Sequence, residues 1–336
     1  MDIYQHSREV LTSWSPKPTG RCHKKSTENT LYDLQVVIPA YNVESYIGKC
    51  LNSLKPLLYS NYKVLIQIVD DGSTDRTGEI ADEFSKDMVG DIIVIHHQKN
   101  EGLAAARNTA LRTLYGNYVL LIDADDYLPD GFSTDSLIKA VGDYDILQGY
   151  STTVDRNGRI MEGTKRATGY AWGKLYHHRV FERFQFPEGY WFEDTPVKFI
   201  LYNMGVRIRN IDESVYCYRK NPNGITATAD AHPKAVDTYW VTELCIEEMP
   251  IFGIEYDQNI LDSLLQQTIL NMKRVRKQPL KVRKAIFTLT KELIEKYFPD
   301  IQSSTYRKLE RTIRHQQFLQ FEFCIYLSFL RAKLTI

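Results

Sequence analysis

YVLLIDADDY, Tyr118–Tyr127, is the stretch that decides the fold, because an apolar run suited to a buried strand ends there in three carboxylates. Ligands of open α/β sheets bind just outside the carboxyl ends of the strands. The two-residue period of a strand directs Asp123 and Asp125 to one side. Converging carboxylates suit a hard cation, Mg²⁺ or Mn²⁺ carrying phosphate. An Asp-rich turn is the alternative, and this stretch alone does not separate the two.

The chain before this stretch alternates between strand-like and helix-like patterns. Each apolar run typical of a buried strand is followed by a helical pattern, in the order strand 34–40, helix 43–58, strand 64–71, helix 74–85, strand 91–96 and a helix that begins at Gly102. This alternation predicts an α/β fold with a mostly parallel sheet, helices on both faces and right-handed crossovers. All the strand ends then meet along one edge.

Polar and aromatic residues collect at these strand ends. Tyr41 suits contact with a base, Asp71 can accept from a base N–H, and Arg107 can balance phosphate charge. Each also has an ordinary role as a link, a turn or a surface charge. Their joint appearance at successive strand ends favours a nucleotide pocket.

Composition excludes several classes of protein. The 336 residues carry a formal net charge of zero, so no field of the whole chain favours nucleic acid. The five cysteines are scattered without a CxxC pair, which favours free thiols in a reducing cytosol. We expect neither a signal peptide nor a membrane span, since no apolar run is long enough.

Four segments together resemble the nucleotide-binding half of the family 2 glycosyltransferases, the bacterial GT-A group that uses sugar nucleotides. They are VVIPAYNVESYIGKCLNSL, IVDDGSTDRTGEIADEF, KNEGLAAARNTAL and VLLIDADDYLPDGF, and the resemblance covers residues 34–225. It implies a GT-A fold, a Mn²⁺ or Mg²⁺ ion bound through the DxD, and inversion at the anomeric carbon. Asp125 would ligate the metal and Asp123 would reach the ribose or the metal. The nucleotide would be held by Pro39, Tyr41, Asp71, Asn100 and Arg107.

The second half of the resemblance concerns the acceptor side. A hairpin is expected around the DRNG turn at 155–158. TGYAWGKLYHHRVF resembles a family segment in which Trp172 forms a sugar platform and Lys174 approaches the acceptor or the diphosphate. We expect this segment to form a helix with His177 and His178 on its surface. A core aromatic is the alternative for Trp172. The stretch 206–227 resembles a strand pair and a donor-closing loop without the His-x-His pair of one family variant; the candidate diphosphate contacts are Tyr218, Arg219, Asn223 and Thr226.

GYWFEDTPVKFIL, Gly189–Leu201, contains the position that matches the family's catalytic base, Asp194. A carboxylate just before a helix stays ionised in the positive backbone field, as a base for an incoming hydroxyl must. Glu193 would bind or orient the acceptor. Capping of the helix by Asp194 or Thr195 is compatible with this role.

Beyond about residue 231 helical patterns dominate, at 233–249, 257–277, 280–297 and 304–333. We therefore predict three parts. They are a poorly packed N-terminal extension with one short helix (1–33), a GT-A domain (34–230, with a nucleotide half 34–130 and an acceptor half 131–230), and a C-terminal helical region (231–336). Basic residues at 273–284 and apolar ones at 318–330 suit peripheral contact with an anionic membrane, or packing on the protein itself.

The resulting hypothesis is a metal-dependent inverting glycosyltransferase that uses a UDP-sugar. The acceptor would be a hydroxyl of a surface glycan, a teichoic acid or a lipid-linked molecule. The enzyme would be cytoplasmic, with contact at the inner face of the membrane. A nucleotidyltransferase is one alternative, although no glycine-rich phosphate loop lies near the first strand. A non-catalytic sugar-binding scaffold is another. The sugar, the acceptor and any homo-oligomer stay open.

Overall fold

The computed structural model describes residues 2–222 and 224–334, apart from the side chains of residues 162, 226 and 329–334. Contacts group the chain into two units. The sheet unit is Gly20–Gly189 with Glu193–Asn221, and the helical unit is Met1–Thr19 with Tyr190–Phe192 and Pro222–Ile336. These boundaries differ from those predicted at residues 33 and 230.

Eight strands form one sheet within the described residues. In chain order they are β1 (Thr27–Ala40), β2 (Val64–Asp70), β3 (Asp91–His96), β4 (Thr113–Leu121), β5 (Ile146–Val154), β6 (Ile160–Arg166), β7 (Lys174–His177) and β8 (Ile208–Arg219). Their order is β3-β2-β1-β4-β7-β5-β6, and β8 pairs with β5. The first four strands are mutually parallel, with Val36 opposite both Ile66 and Leu120.

The remaining pairings bring more strand ends to the same edge. β7 is antiparallel to both β4 and β5, so β5 runs in the direction of β4, and β8 is parallel to β5. The carboxyl ends of β4 and β8 and the amino end of β7 therefore share one edge of the sheet. This edge carries the candidate residues from both halves of the sheet unit.

Apolar residues explain why the sheet is buried. Every residue of β2 is buried, as the continuous apolar run predicts for a parallel strand covered on both faces. The helix Glu44–Leu58 contributes Ile47, Leu51 and Leu54 to the same core. The helices are α1 (Ile3–Trp14), α2 (Glu44–Leu58), α3 (Thr77–Asp87), α4 (Leu103–Leu111), α5 (Thr134–Val141), α6 (Ile225–Thr228), α7 (Asp237–Glu248), α8 (Gln258–Arg274), α9 (Leu280–Tyr297), α10 (Arg307–Arg314) and α11 (Phe318–Leu334).

The N-terminal segment is packed, which corrects the expectation of a loose extension. Leu11 of α1 is fully buried in the helical unit. Arg8 donates to Glu243 and to Glu292, both at 2.7 Å. Lys17 donates to the second carboxylate oxygen of Glu243 at 2.6 Å. The short helix expected in this segment is present as α1, but its packing was not predicted because its partners lie more than 200 residues away.

Three further element predictions were wrong. The strand expected to run into the acids ends at Leu121, because the N–H of Asp126 bonds to the carbonyl of Asp123 and closes a turn. The segment 174–177, expected in a helix, forms β7, since its neighbours on the sheet supply the hydrogen bonds. The helix expected over 304–333 is divided into α10 and α11 near Gln316, whose φ is 54°.

Helix α11 packs partly on α9. Phe321 and Ile325 are buried, and the ring of Phe321 lies 4.8 Å from that of Phe287. Leu319 and Phe323 are exposed on another face of the helix. Among the helices that the structure describes, none combines the length and hydropathy that crossing a bilayer requires.

Candidate active site

Asp71 anchors the loop that follows β3. Its carboxylate accepts from the backbone N–H groups of Glu101 at 2.9 Å and Gly102 at 2.8 Å. Its Oδ1 also lies 2.7 Å from Nδ1 of His97, whose Nε2 lies 3.0 Å from Thr109. Asp71 is therefore buried and engaged by the protein itself, and its visible role is to shape the loop that contains Asn100.

The two loops after β2 and β3 touch at Gly72. Its φ is 72°, and a Cβ there would stand 2.6 Å from the Lys99 carbonyl carbon and 2.8 Å from the Asn100 nitrogen. Only glycine fits this approach. Pro39 is buried in β1 opposite Val69. The structure thus gathers Pro39, Asp71 and Asn100 at one edge.

Arg107 joins the two acidic motifs of the sequence. Its Nη2 donates to Asp123 and its Nη1 to Glu193, each at 2.7 Å. Burial opposes the charge of Arg107, but the carboxylates of Asp123 and Glu193 raise its pKa above the usual value. The guanidinium is buried under the ring of Phe186. Arg107 is thus a buried link between two acids, and not the surface charge that an arginine on a helix usually is.

The other two acids of the stretch, Asp125 and Asp126, both have raised pKa values. Burial and the charge of Asp123 raise the pKa of Asp125, which accepts from Asn221 at 3.0 Å. Burial and both neighbouring aspartates raise the pKa of Asp126 well above its usual range. Oδ1 of Asp126 accepts from the N–H of Arg219 at 2.6 Å. The side chain of Tyr216 interacts with the Asp126 carboxylate and partly offsets this increase of its pKa.

This surplus of negative charge fits a divalent cation. A cation beside Asp123 and Asp125 would relieve their repulsion, and carboxylate oxygens are ligands that Mg²⁺ and Mn²⁺ accept. Elsewhere among the described residues, Glu28, His178 and Glu182 present ligand atoms within 4.8 Å of one another. That trio is a separate cluster and contains none of the predicted site residues.

Glu193 and Asp194 follow a distorted segment of backbone. Phe192 has a φ of 62°, and helical backbone begins at Thr195, directly after Asp194, and continues as the π-helix Val197–Leu201. The carbonyl of Asp194 accepts from the N–H of Val197. A short helical segment therefore follows Asp194, as predicted. The charge of Asp194 acts on both Arg107 and Lys174, which shows that the carboxylate lies near them.

Lys174 has its amine turned into the protein. Nζ donates to the carbonyls of Ala167, Tyr170 at 2.5 Å and Trp172 at 3.2 Å. Burial lowers its pKa to about 7, an effect that Asp194 opposes. Trp172 is 6% exposed, with its ring stacked between neighbouring tyrosines. As placed here, Lys174 fixes the loop before β7, and the indole faces are covered by protein.

Arg219 lies between two aromatic rings. It is buried, with its guanidinium carbon 5.0 Å from the ring centre of Tyr46 and 5.2 Å from that of Tyr127. Tyr218 stacks on Trp172 at 5.4 Å. Asn223 and the side chain of Thr226 lie outside the described residues.

Sequence reasoning missed four residues of the site. His97 and Asn221 hold Asp71 and Asp125, and the hydroxyl of Tyr216 accepts from the N–H of Asp123 at 3.0 Å. Tyr170 covers one face of Trp172. The position of His97 just after β3 was the one available signal. The others depend on strand pairing that local pattern does not contain.

Comparison with known proteins agrees with this geometry. The profile of the family described as glycosyl transferase family 2 matches residues 35–205, half of the chain. The chain belongs to glycosyl transferase family 2. The match includes Pro39, Asp71 and Asp123, and it extends past Glu193 and Asp194.

Individual relatives of this family 2 chain are bacterial. The glycosyltransferase GlyA of Streptococcus pneumoniae is 35% identical over 215 residues, which are 55% of this chain and 30% of GlyA. The uncharacterized glycosyltransferase EpsJ of Bacillus subtilis is 30% identical over 219 residues, 57% of this chain and 62% of EpsJ. The chain thus spans less than two thirds of the length of either curated relative.

A solved structure of S. aureus TarS, residues 1–349 in complex with UDP-GlcNAc, shares the fold. The TM-score is 0.65 at 20% identity, over 89% of this chain and 92% of that one. The predicted GT-A architecture, a mostly parallel sheet with flanking helices and a C-terminal helical region, is confirmed.

The buried state of Glu193 predicts a pH dependence of stability. Burial raises its pKa from 4.5 to about 7 although the charge of Arg107 opposes this increase, so between these values the native state keeps a proton that the unfolded state has lost. Its contribution to stability is therefore complete below pH 4.5 and is lost as the pH rises toward 7. We expect the free energy of unfolding of the wild type to fall relative to Glu193→Gln, by up to about 1.4 kcal/mol per pH unit in this window.

Urea unfolding of both proteins at several pH values measures this difference, and groups common to the two cancel. A flat difference between the wild type and Glu193→Gln would show that Glu193 is ionised throughout.

Proposed function

We propose that this chain transfers a sugar, with inversion, from a nucleotide diphosphate donor to a hydroxyl group. The observation that carries the proposal is the pair of 2.7 Å contacts through which Arg107 joins Asp123 to Glu193. Asp123 follows the parallel strand next to the strands with the nucleotide candidates, and Asp194 directly follows Glu193. Donor-side acids and a candidate base therefore belong to one cluster in the sheet unit.

In the proposed reaction Asp194 acts as the general base. It takes the proton of the acceptor hydroxyl while that oxygen attacks the anomeric carbon from the side opposite the diphosphate. Glu193 holds the acceptor and is itself held by Arg107. Asp123 and Asp125 would hold a divalent ion, which when bound neutralises charge on the departing diphosphate. Arg219 and Tyr218 border the same acids and contribute to diphosphate contact.

UDP is the nucleotide we propose, as the family resemblance implies, and metal dependence is part of the proposal. We expect calorimetric titration to detect UDP binding in the presence of Mn²⁺ and its loss in EDTA. GDP, dTDP and CDP are titrated in the same way, and weaker binding of these three supports the assignment of UDP. Asp125→Ala should remove the metal-dependent part, because it deletes a hard oxygen ligand. Asp130→Ala, an exposed carboxylate five residues later, is the control. Binding of none of the four nucleotides would contradict the proposal.

The base assignment predicts a selective loss. Asp194→Asn should leave the affinity for UDP within about twofold and lower the transfer rate by about 10²–10⁴-fold, because an amide cannot accept the proton. Transfer to simple methyl glycosides, followed by mass spectrometry, measures the rate. Asp143→Asn, exposed elsewhere in the sheet unit, is the matched control. Wild-type transfer by Asp194→Asn would show that another group takes the proton.

The proposed acceptor is a hydroxyl of a surface glycan, a teichoic acid or a lipid-linked molecule, reached at an anionic membrane. Leu319, Phe323 and Tyr326 are exposed on one face of α11. Lys284, exposed on α9, holds its Nζ 5.7 Å from the ring centre of Phe318. Apolar side chains beside lysines suit insertion at the headgroup level of anionic lipids.

Two substitutions that each add one negative charge test the membrane contact. Leu319→Glu should weaken sedimentation with phosphatidylglycerol vesicles by about tenfold, because it removes a buried apolar side chain from the interface. Gln320→Glu adds the same charge at the adjacent exposed position and should have a much smaller effect. If Leu319→Glu and Gln320→Glu weaken sedimentation equally, charge alone explains the membrane contact. If the wild type does not sediment with the vesicles, the membrane contact is excluded.

A further inference from the structure

A ladder of four aromatic rings stands beside the acids of the site. The ring of Trp172 stacks on Tyr170 at 4.4 Å and on Tyr216 at 4.5 Å, with 9° between the planes in each pair. Tyr218 lies 5.4 Å from Trp172 at 13°. Trp172 therefore packs against Tyr170 and against the two tyrosines of β8. Trp172 is sealed, and the most exposed ring of the ladder is Tyr170, at 46%.

The inner end of the ladder is tied to the acids. The hydroxyl of Tyr216 accepts from the N–H of Asp123 at 3.0 Å. After burial, the charges of Asp126 and Asp125 are the largest influences that raise the pKa of Tyr218. The ladder therefore leads from the predicted donor and metal side outward to Tyr170.

The backbone of this ladder is held firmly. Lys174 donates from one buried amine to the carbonyls of Ala167, Tyr170 and Trp172, so the loop that presents Tyr170 is bound at three points. β7 begins directly after this loop and pairs with β4 at the edge where the acids lie. A ring fixed in this way loses little freedom when a ligand stacks on it, which favours binding.

Sheet order separates Tyr170 from the nucleotide candidates. Pro39, Asp71 and Asn100 follow β1, β2 and β3, whereas Tyr170 precedes β7, on the other side of β4. A ligand on Tyr170 would thus approach the acids from the side opposite the nucleotide candidates. A pyranose ring suits such a platform, because its axial C–H groups form an apolar face that packs on an aromatic ring.

We propose that Tyr170 is the platform on which the acceptor sugar stacks, in place of Trp172, whose faces the protein already covers. This inference rests on the proposed function. Trp172 then supports the platform, and Tyr170 selects acceptors that have an apolar sugar face. The ring of Tyr170 provides the contact, and its hydroxyl is of secondary importance.

Saturation-transfer NMR with methyl β-D-glucopyranoside and its N-acetylglucosamine analogue, in the presence of UDP and Mg²⁺, tests the proposal. We expect transfer to the ring C–H protons in the wild type. Tyr170→Phe should retain it, and Tyr170→Ala should lose at least about tenfold in glycoside affinity because the stacking surface is gone. Tyr59→Ala, which removes a 70% exposed tyrosine from the same unit, should match the wild type.

UDP affinity, measured on the same samples, separates the outcomes. Unchanged UDP affinity with lost glycoside binding in Tyr170→Ala supports the platform. An equal loss of both assigns Tyr170 to the nucleotide and overturns it, as does glycoside binding equal to the wild type. UDP binding without any glycoside binding in the wild type also overturns it and leaves the proposed function standing. Glycoside binding without nucleotide binding supports the platform while the transferase proposal fails. If Tyr170→Ala does not fold, Tyr170→Leu takes its place, because it keeps an apolar side chain but lacks the flat stacking face.

Discussion

The buried guanidinium of Arg107 is the interaction on which the site depends. Two carboxylates from segments 70 residues apart converge on it, Asp123 after β4 and Glu193 before the π-helical turn. Burying one acid without a partner costs several kcal/mol, so neither position is stable without the cation between them. The arginine thereby brings together two motifs that share no strand pairing.

The site nevertheless retains an excess of negative charge. Arg107 compensates Asp123 and Glu193, but Asp125 and Asp126 retain raised pKa values next to them. Protein groups meet only part of this demand, through Asn221 and the backbone of Arg219. Perturbed carboxylates of this kind concentrate at functional sites. The aromatic ladder is joined to these acids, because the hydroxyl of Tyr216 accepts from the N–H of Asp123.

Much of the fold could be predicted from local pattern. The run at 91–96 coincides with β3, and the runs at 34–40 and 64–71 lie within one residue of the ends of β1 and β2 at the site. These elements follow from apolar periodicity, which is local. The end of β4, the strand β7 and the break at Gln316 could not be predicted, because tertiary hydrogen bonds decide them. The same limit applies to side chains. Asp71 and Asn100 were predicted as site residues, but the engagement of Asp71 by His97 required the structure.

Helix α1 has a consequence for the order in which the protein is made. Its ion pair from Arg8 to Glu292 joins residues 284 positions apart, while the sheet unit uses no residue beyond Asn221. During synthesis the sheet unit is therefore complete while the first helix still lacks its partners. The amphipathic face around Leu11 stays exposed on the growing chain until α7 and α9 have left the ribosome. Helix α1 is thus among the last of the described segments to reach the native state.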